Sequence, residues 1–242
     1  MKKLLILDAG HGFDTKGKCN AKEGFYEFDF NNKMQYLIKE KLKKYDIEVV
    51  MTNPYPHTVS DVLLSERVKR ANNWFNKYDQ QLFISLHANA YSDPAAKGTE
   101  TYTANVCSVK SENFAKMVNE EIFKVFKSKN NSSKNRGVKK SNFYVIKNTN
   151  APAVLIEYGF YTNADDLFIL KNYQNELADA TVKAICKYFN LEYKETKITE
   201  LPPNDKVIYR VVAGSYSNKE NAIKLQKELK NKGFDSFIII EK

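Results

Sequence analysis

Three apolar runs in this chain break off at side chains that such runs seldom hold. Leu4 to Gly12 reads LLILDAGHG, Leu82 to Ala90 reads LFISLHANA, and Ala153 to Phe160 reads AVLIEYGF. Continuous apolar residues predict strands buried on both faces, as in a parallel sheet covered by helices. Residues 48–51 (EVVM) and 143–146 predict further strands, and the alternating GTETYTA at 98–104 an extra one. Between them, apolar residues recur every three or four positions. Met34, Leu37, Ile38 and Leu42 form one stripe, and Leu64, Val68, Ala71 and Phe75 a second. Phe114, Val118, Ile122 and Val125 form a third, and Leu177, Thr181, Ala184, Ile185 and Tyr188 a fourth. Each stripe predicts an amphipathic helix. Asn163, ahead of Asp165 and Asp166, predicts an N-cap. Residues 55–60 and the polar stretch 128–140 predict loops. Strands alternating with helices imply an α/β domain over residues 1–192, a three-layer α/β/α fold with a mostly parallel twisted sheet.

The pattern changes after that. Residues 193–206 are polar with a double proline, which predicts a linker. Residues 207–216 predict a strand, Ser217 to Glu220 a capping box, and Ala222, Leu225 and Leu229 a helix stripe that Gly233 stops. Residues 237–240 predict a second strand, so 207–242 reads as one small βαβ unit.

Composition narrows the classes. Of 242 residues, 43% are hydrophobic and 13% aromatic, which implies a folded globule rather than a disordered chain. No apolar run reaches the roughly 20 residues that span a bilayer. The opening MKKLLILDAGHG is too short in its apolar part for a signal segment, so we expect synthesis in the cytoplasm without an export signal. The net charge is +9, most of it in the first 190 residues, and a basic face suits a polyanion. Only four of the 38 basic residues are arginine, which argues against a nucleic-acid reader, since bidentate base recognition favours that side chain. Cys19, Cys107 and Cys186 are odd in number and far apart, so neither a disulfide framework nor a thiolate metal site is implied, and small buried thiols are expected.

The chemistry sits at the ends of the apolar runs. Ligands of open α/β sheets bind at the carboxyl ends of the strands. Two of the three histidines, His11 and His87, fall there, and so does Glu157. Two imidazoles and a carboxylate suit zinc, with water in the fourth position, and Glu23 and Glu27, just ahead of the first helix, both qualify as the third ligand. Zinc would acidify its water toward a pKa of about 7 and polarise a carbonyl. A second carboxylate would carry the proton to a leaving amine. A carboxylate inside an apolar strand, as Glu157 is, is costly without a compensating partner or metal, which raises it above a structural reading. Gly10 and Gly12 lack the following G-K-[ST] of a phosphate loop.

LDAGHG, Glu27 within YEFDFN, SERVKRAN, LFISLHANA, GTETY, NRGVK and AVLIEYGFYTN, in this order, make residues 1–190 resemble the zinc-dependent N-acetylmuramoyl-L-alanine amidases of the amidase-3 family. The resemblance implies hydrolysis of the amide between N-acetylmuramic acid and L-alanine in peptidoglycan. It implies His11, Glu27 and His87 as zinc ligands, Glu157 as catalytic acid/base, and Asn89 and Arg67 as supporting, substrate-binding residues. Two departures stand out: His57 matches nothing in the family pattern, and Asn53 stands where the family usually has arginine. The tail resembles the first half of a SPOR domain, a peptidoglycan-binding module. Roughly 36 residues are too few to fold alone, so two chains are expected to join their halves into a homodimer, unless the half packs on its own catalytic domain. The expected setting is a phage endolysin released by a holin, or a bacterial autolysin freed by lysis. A zinc peptidase of the stem peptide and a wall-binding protein with an inert site are the alternatives.

Overall fold

A computed structural model describes residues 1–53, 61–195, 213–234, 236 and 238. The chain divides into two units, Met1–Thr199 and Glu200–Lys242.

The first unit is built on a six-stranded sheet. Its strands are β1 (Lys3–Ala9), β4 (Glu48–Met51), β5 (Gln80–Asn89), β6 (Thr99–Thr103), β7 (Asn135–Lys140) and β8 (Ala153–Phe160), in the order β4-β1-β5-β8-β6-β7. The pairs β1–β4, β1–β5, β5–β8 and β6–β7 are parallel, and β6 runs antiparallel to β8. A two-stranded ribbon of β2 (Cys19–Asn20) and β3 (Phe25–Tyr26) precedes the first helix.

Helices cover both faces. Alternate residues of each strand feed different cores, as the two-residue side-chain period requires. Leu5, Leu7, Ile84, Leu86, Val154 and Ile156 pack with α1 (Glu27–Leu42), α3 (Val109–Lys129) and α6 (Gln174–Tyr188). Leu4, Ile6, Phe83 and Leu155 pack with Val68 and Ala71 of α2 (Leu64–Asn72) and Val145 and Ile146 of α4 (Tyr144–Asn148). This is the expected three-layer α/β/α arrangement with a mostly parallel sheet. Asn163 caps α5 (Ala164–Asn172), its side chain accepting from the amides of Asp165 and Asp166.

Four expectations need correction. Residues 143–146 are the N-cap and first turn of helix α4, not a strand. An apolar run of four fits either element, and here Val145 and Ile146 turn together onto the sheet. Within the supposed loop 128–140, residues 135–140 pair with β6 as an edge strand. Phe75 falls beyond the end of α2 and is exposed. Only Cys186 is buried; Cys19 and Cys107 are partly exposed, and all three are free thiols.

In the second unit, α7 spans Lys219–Asn231. Its cap is Asn218, which accepts from the Glu220 amide, so the start lies one residue later than the Ser217 box implies. Gly233, at φ 84°, ends it as expected. The expected loop 55–60 lies outside the described residues, as do most of the linker 193–206 and of both tail strands. Among the described residues no helix is long and apolar enough to cross a membrane.

Candidate active site

From β1 the chain crosses to β4 on one side before reaching β5 on the other. Such a reversal opens a crevice at the carboxyl ends of the two strands. His11 follows β1 by two residues, and His87 stands near the end of β5. Glu27 is the first residue of α1, where a carboxylate is favoured by the helix dipole. The three meet there. Glu27 Oε1 lies 3.2 Å from His11 Nε2 and 3.0 Å from His87 Nδ1, and it also accepts the Ala88 amide at 3.3 Å. The two imidazoles stand edge to face with centroids 5.0 Å apart. Burial would raise the pKa of Glu27, but hydrogen bonds and charge from the two histidines outweigh it and hold it at about 2. The ligand atoms of His11, Glu27 and His87 lie within 4.8 Å of one another, and two imidazoles with one carboxylate form a donor set that fits zinc.

The histidine turn is braced from below. His11 adopts φ 66°, a left-handed conformation that costs a non-glycine residue energy unless its surroundings enforce it. Arg67 Nη2 and Asn53 Nδ2 both donate to the His11 carbonyl, each at 3.0 Å. Asn53 also reaches the Ala9 carbonyl at 3.1 Å, and Asn31 the Gly10 carbonyl at 3.1 Å. Arg67 Nη1 bonds the Ala9 carbonyl and Asp8. Asp8 accepts in turn from Thr52 and from Ser85 of β5. Gly10 leaves room for the site itself, because a Cβ there would lie 2.0 Å from His87 Cε1.

A second row of acidic groups crosses the sheet. His87 of β5 pairs with Glu157 of β8, which pairs with Glu100 of β6, so all three project from one face. The Oε2 atom of Glu157 is buried with no hydrogen-bond partner among the described residues. Its own burial, then the charges of Glu27 and Glu100, push its pKa well above the usual carboxylate value. Glu100 is the opposite case. It is 1% exposed, and Asn89 Nδ2 at 2.8 Å, Tyr102 Oη at 2.7 Å, Lys139 Nζ at 2.6 Å and Arg136 Nε all donate to it. Burial would raise its pKa, but Lys139, Arg136 and Tyr102 lower it on balance.

The structure thus gathers His11, Glu27, His87 and Glu157 in one place. Glu23 is exposed in a 3-10 turn, Ala21–Glu23, and is not part of the His11, Glu27 and His87 group. Arg67 does not have the solvent-facing position that substrate contact requires. It is 1% exposed and spends its donors on carbonyls and on Asp8 and Asp61, so it positions the His11 turn. Asn89, the last residue of β5, engages Glu100. His57 lies outside the described residues. Glu100, Arg136 and Lys139 were missed as site residues, although the alternation of T-E-T-Y places Glu100 on the face of Tyr102.

A mostly parallel α/β/α sheet with two histidines and two glutamates at its carboxyl edge defines an open-sheet hydrolase. A family model described as N-acetylmuramoyl-L-alanine amidase matches residues 5–187, and the chain belongs to that family. It is a peptidoglycan hydrolase acting on the amide between N-acetylmuramic acid and L-alanine. A SPOR domain model matches residues 171–240, beginning inside α5. The endolysin of Bacillus phage SPP1 is 34% identical over 201 residues, 80% of this chain and 69% of its own. The N-acetylmuramoyl-L-alanine amidase CwlM of Bacillus licheniformis is 28% identical over 240 residues, 97% of this chain and 84% of its own. Among solved structures, the catalytic domain of CwlV from Bacillus (Paenibacillus) polymyxa var. colistinus superposes with TM-score 0.67 at 31% identity, covering 78% of this chain and 99% of that one.

Proposed function

We propose that the amidase is zinc-dependent, with His11, Glu27 and His87 holding the ion and Glu157 carrying the proton. The observation behind this reading is the meeting of both imidazoles on Glu27 Oε1, one strand away from a carboxyl group with an oxygen that has no partner among the described residues. Bound zinc would supply Lewis acidity, polarising the scissile carbonyl and acidifying a water toward a pKa of about 7. Glu157 does the rest of the proton work. A carboxyl whose pKa is raised well above the usual carboxylate value holds a proton more readily than an ordinary one, which suits a group that accepts a proton and returns it. It takes one from the attacking water and delivers it to the nitrogen of L-alanine as the amide breaks. Arg67 and Asn53 keep His11 aimed during the cycle, and the Ala88 amide keeps Glu27 turned toward both rings.

Residues 207–242 act as a wall-binding or dimer-forming segment in this reading, which the SPOR match supports. The similarity to a phage endolysin supports release onto the wall through a holin, with autolysis by a bacterium as the other setting. End-group analysis of digested peptidoglycan tests the chemistry. New N-terminal alanine, lost on chelation and restored by zinc, is expected; new termini at other residues would indicate a stem-peptide peptidase instead. Sedimentation of the full chain against residues 1–192 tests the dimer, and a full-length monomer ends that idea.

A further inference from the structure

We propose that Arg136 forms a binding subsite for a free carboxylate on the peptide side of the scissile amide. The inference rests on the amidase reading above and adds a specificity determinant to the same site.

The argument starts at an irregularity in the sheet. Thr99 pairs with Asn135 and Glu100 with Gly137, so the register of β6 and β7 skips Arg136. Gly137, at φ 74°, takes up the turn in the backbone. A bulge of this kind re-aims a side chain, and bulges recur beside active sites for that reason. Here Arg136 Nε reaches Glu100, the residue directly opposite Glu157. The guanidinium also lies over the ring of Phe160, with Cζ 4.9 Å from the centroid. Phe160 is three residues beyond Glu157 on β8.

One edge and one face of the guanidinium are therefore fixed, while its two terminal amino groups engage no acceptor among the described residues. The side chain is 32% exposed. Arginine presents a planar fork that matches a carboxylate bidentately, and prior anchoring lowers the ordering cost of binding. Charge agrees with this. Glu100 carries two cations, Arg136 and Lys139, so its single charge does not neutralise both. An anion would complete the group.

The substrate's own chemistry says which end carries that anion. The lactyl carboxyl of the sugar is the acyl half of the scissile amide, so its charge is already consumed. Free carboxylates remain on the peptide side, beyond L-alanine.

The test uses the full-length, zinc-loaded protein and two muropeptides. In one, the residue after L-alanine bears a free carboxyl group; in the other, that group is amidated. Wild type is expected to favour the free acid by about tenfold or more in kcat/KM, carried mainly by KM, the range of one charge-assisted pair. Arg136→Gln is expected to cleave the two alike, and Arg136→Lys to recover part of the preference. Binding of the corresponding L-alanyl dipeptides to Glu157→Gln protein, followed by calorimetry, should show the same preference without turnover. Equal cleavage of both substrates by wild type, with new N-terminal alanine, would overturn the subsite and leave the amidase intact. An undiminished preference in a folded Arg136→Gln protein would overturn it too. Release of no N-terminal alanine from either substrate would remove the amidase reading and this inference together.

Discussion

His11 and His87 carry the same imidazole, leave neighbouring strands of one sheet and meet the same carboxylate oxygen, yet the chain holds them by different means. His87 lies within β5, where backbone pairing to β8 sets its direction. His11 stands beyond β1, in a left-handed conformation, with no ladder to hold it. Its carbonyl is gripped by two side chains, and one of them, Arg67, is a fully buried cation balanced by Asp8. A ligand on a strand inherits its aim from the sheet. A ligand on a turn needs a dedicated brace, and a buried charge is a stiff one because its hydrogen-bond partners cannot be exchanged for water.

Removing the brace should have the largest effect. Arg67→Ala leaves Asp8 buried without its cation, and about 3–5 kcal/mol of stability should be lost, as for other buried pairs with one partner removed. Zinc binding and wall lysis should fall with it. Denaturant unfolding alongside a zinc titration measures both; a variant with unchanged affinity would mean that His11 needs no brace. Gly10→Ala strikes where the two histidines meet. Its Cβ would collide with the His87 ring, so zinc affinity should drop sharply, with about 1–3 kcal/mol lost to overpacking. Full zinc binding by that variant would show that the ring is free to move aside.

Glu157→Gln is the mildest change to the fold, since β8 holds the residue by its backbone. Activity should fall by about 10²-fold or more if Glu157 carries the proton. Stability should move the other way. In the native state its carboxyl has a pKa above the usual 4.5, so the native state keeps a proton that the unfolded chain gives up as pH rises. That difference erodes wild-type stability from about pH 4.5 upward. Glutamine has no such proton. The metal-free variant should match wild type in acid and exceed it near neutrality, at roughly 2–4 °C in Tm per kcal/mol. Parallel melting curves across pH would contradict the buried-carboxyl account.

Much of the site was legible because the apolar runs announce buried strands, and a histidine or glutamate inside one is conspicuous. His11, His87 and Glu157 were visible in that way. Glu27 was not separable from Glu23 by spacing, because the choice depends on where α1 begins. Arg67 was visible as a motif but not as a brace, since an arginine in SERVKRAN reads as a surface residue until its burial is known. The strand β7 escaped notice because NRGVKK lacks alternating hydrophobic residues, and its position at the sheet margin does not demand them. Arg136 was visible within the NRGVK motif, but nothing in the sequence marked its place beside Glu100. Helix α4 was misread because four apolar residues do not distinguish the two periodicities.

The margin of the sheet at β7 has a consequence beyond the chemistry beside it. Among the described residues β7 is the last strand of the sheet, and a strand in that position has a row of backbone groups on which another chain can template itself. Here that strand reads NRGVKK, with Arg136, Lys139 and Lys140 among its six residues and a bulge at the arginine. Two copies brought edge to edge would bring like charges together along a kinked border. Charge loss on β7 is therefore expected to cost colloidal stability even where the catalytic groups stay untouched.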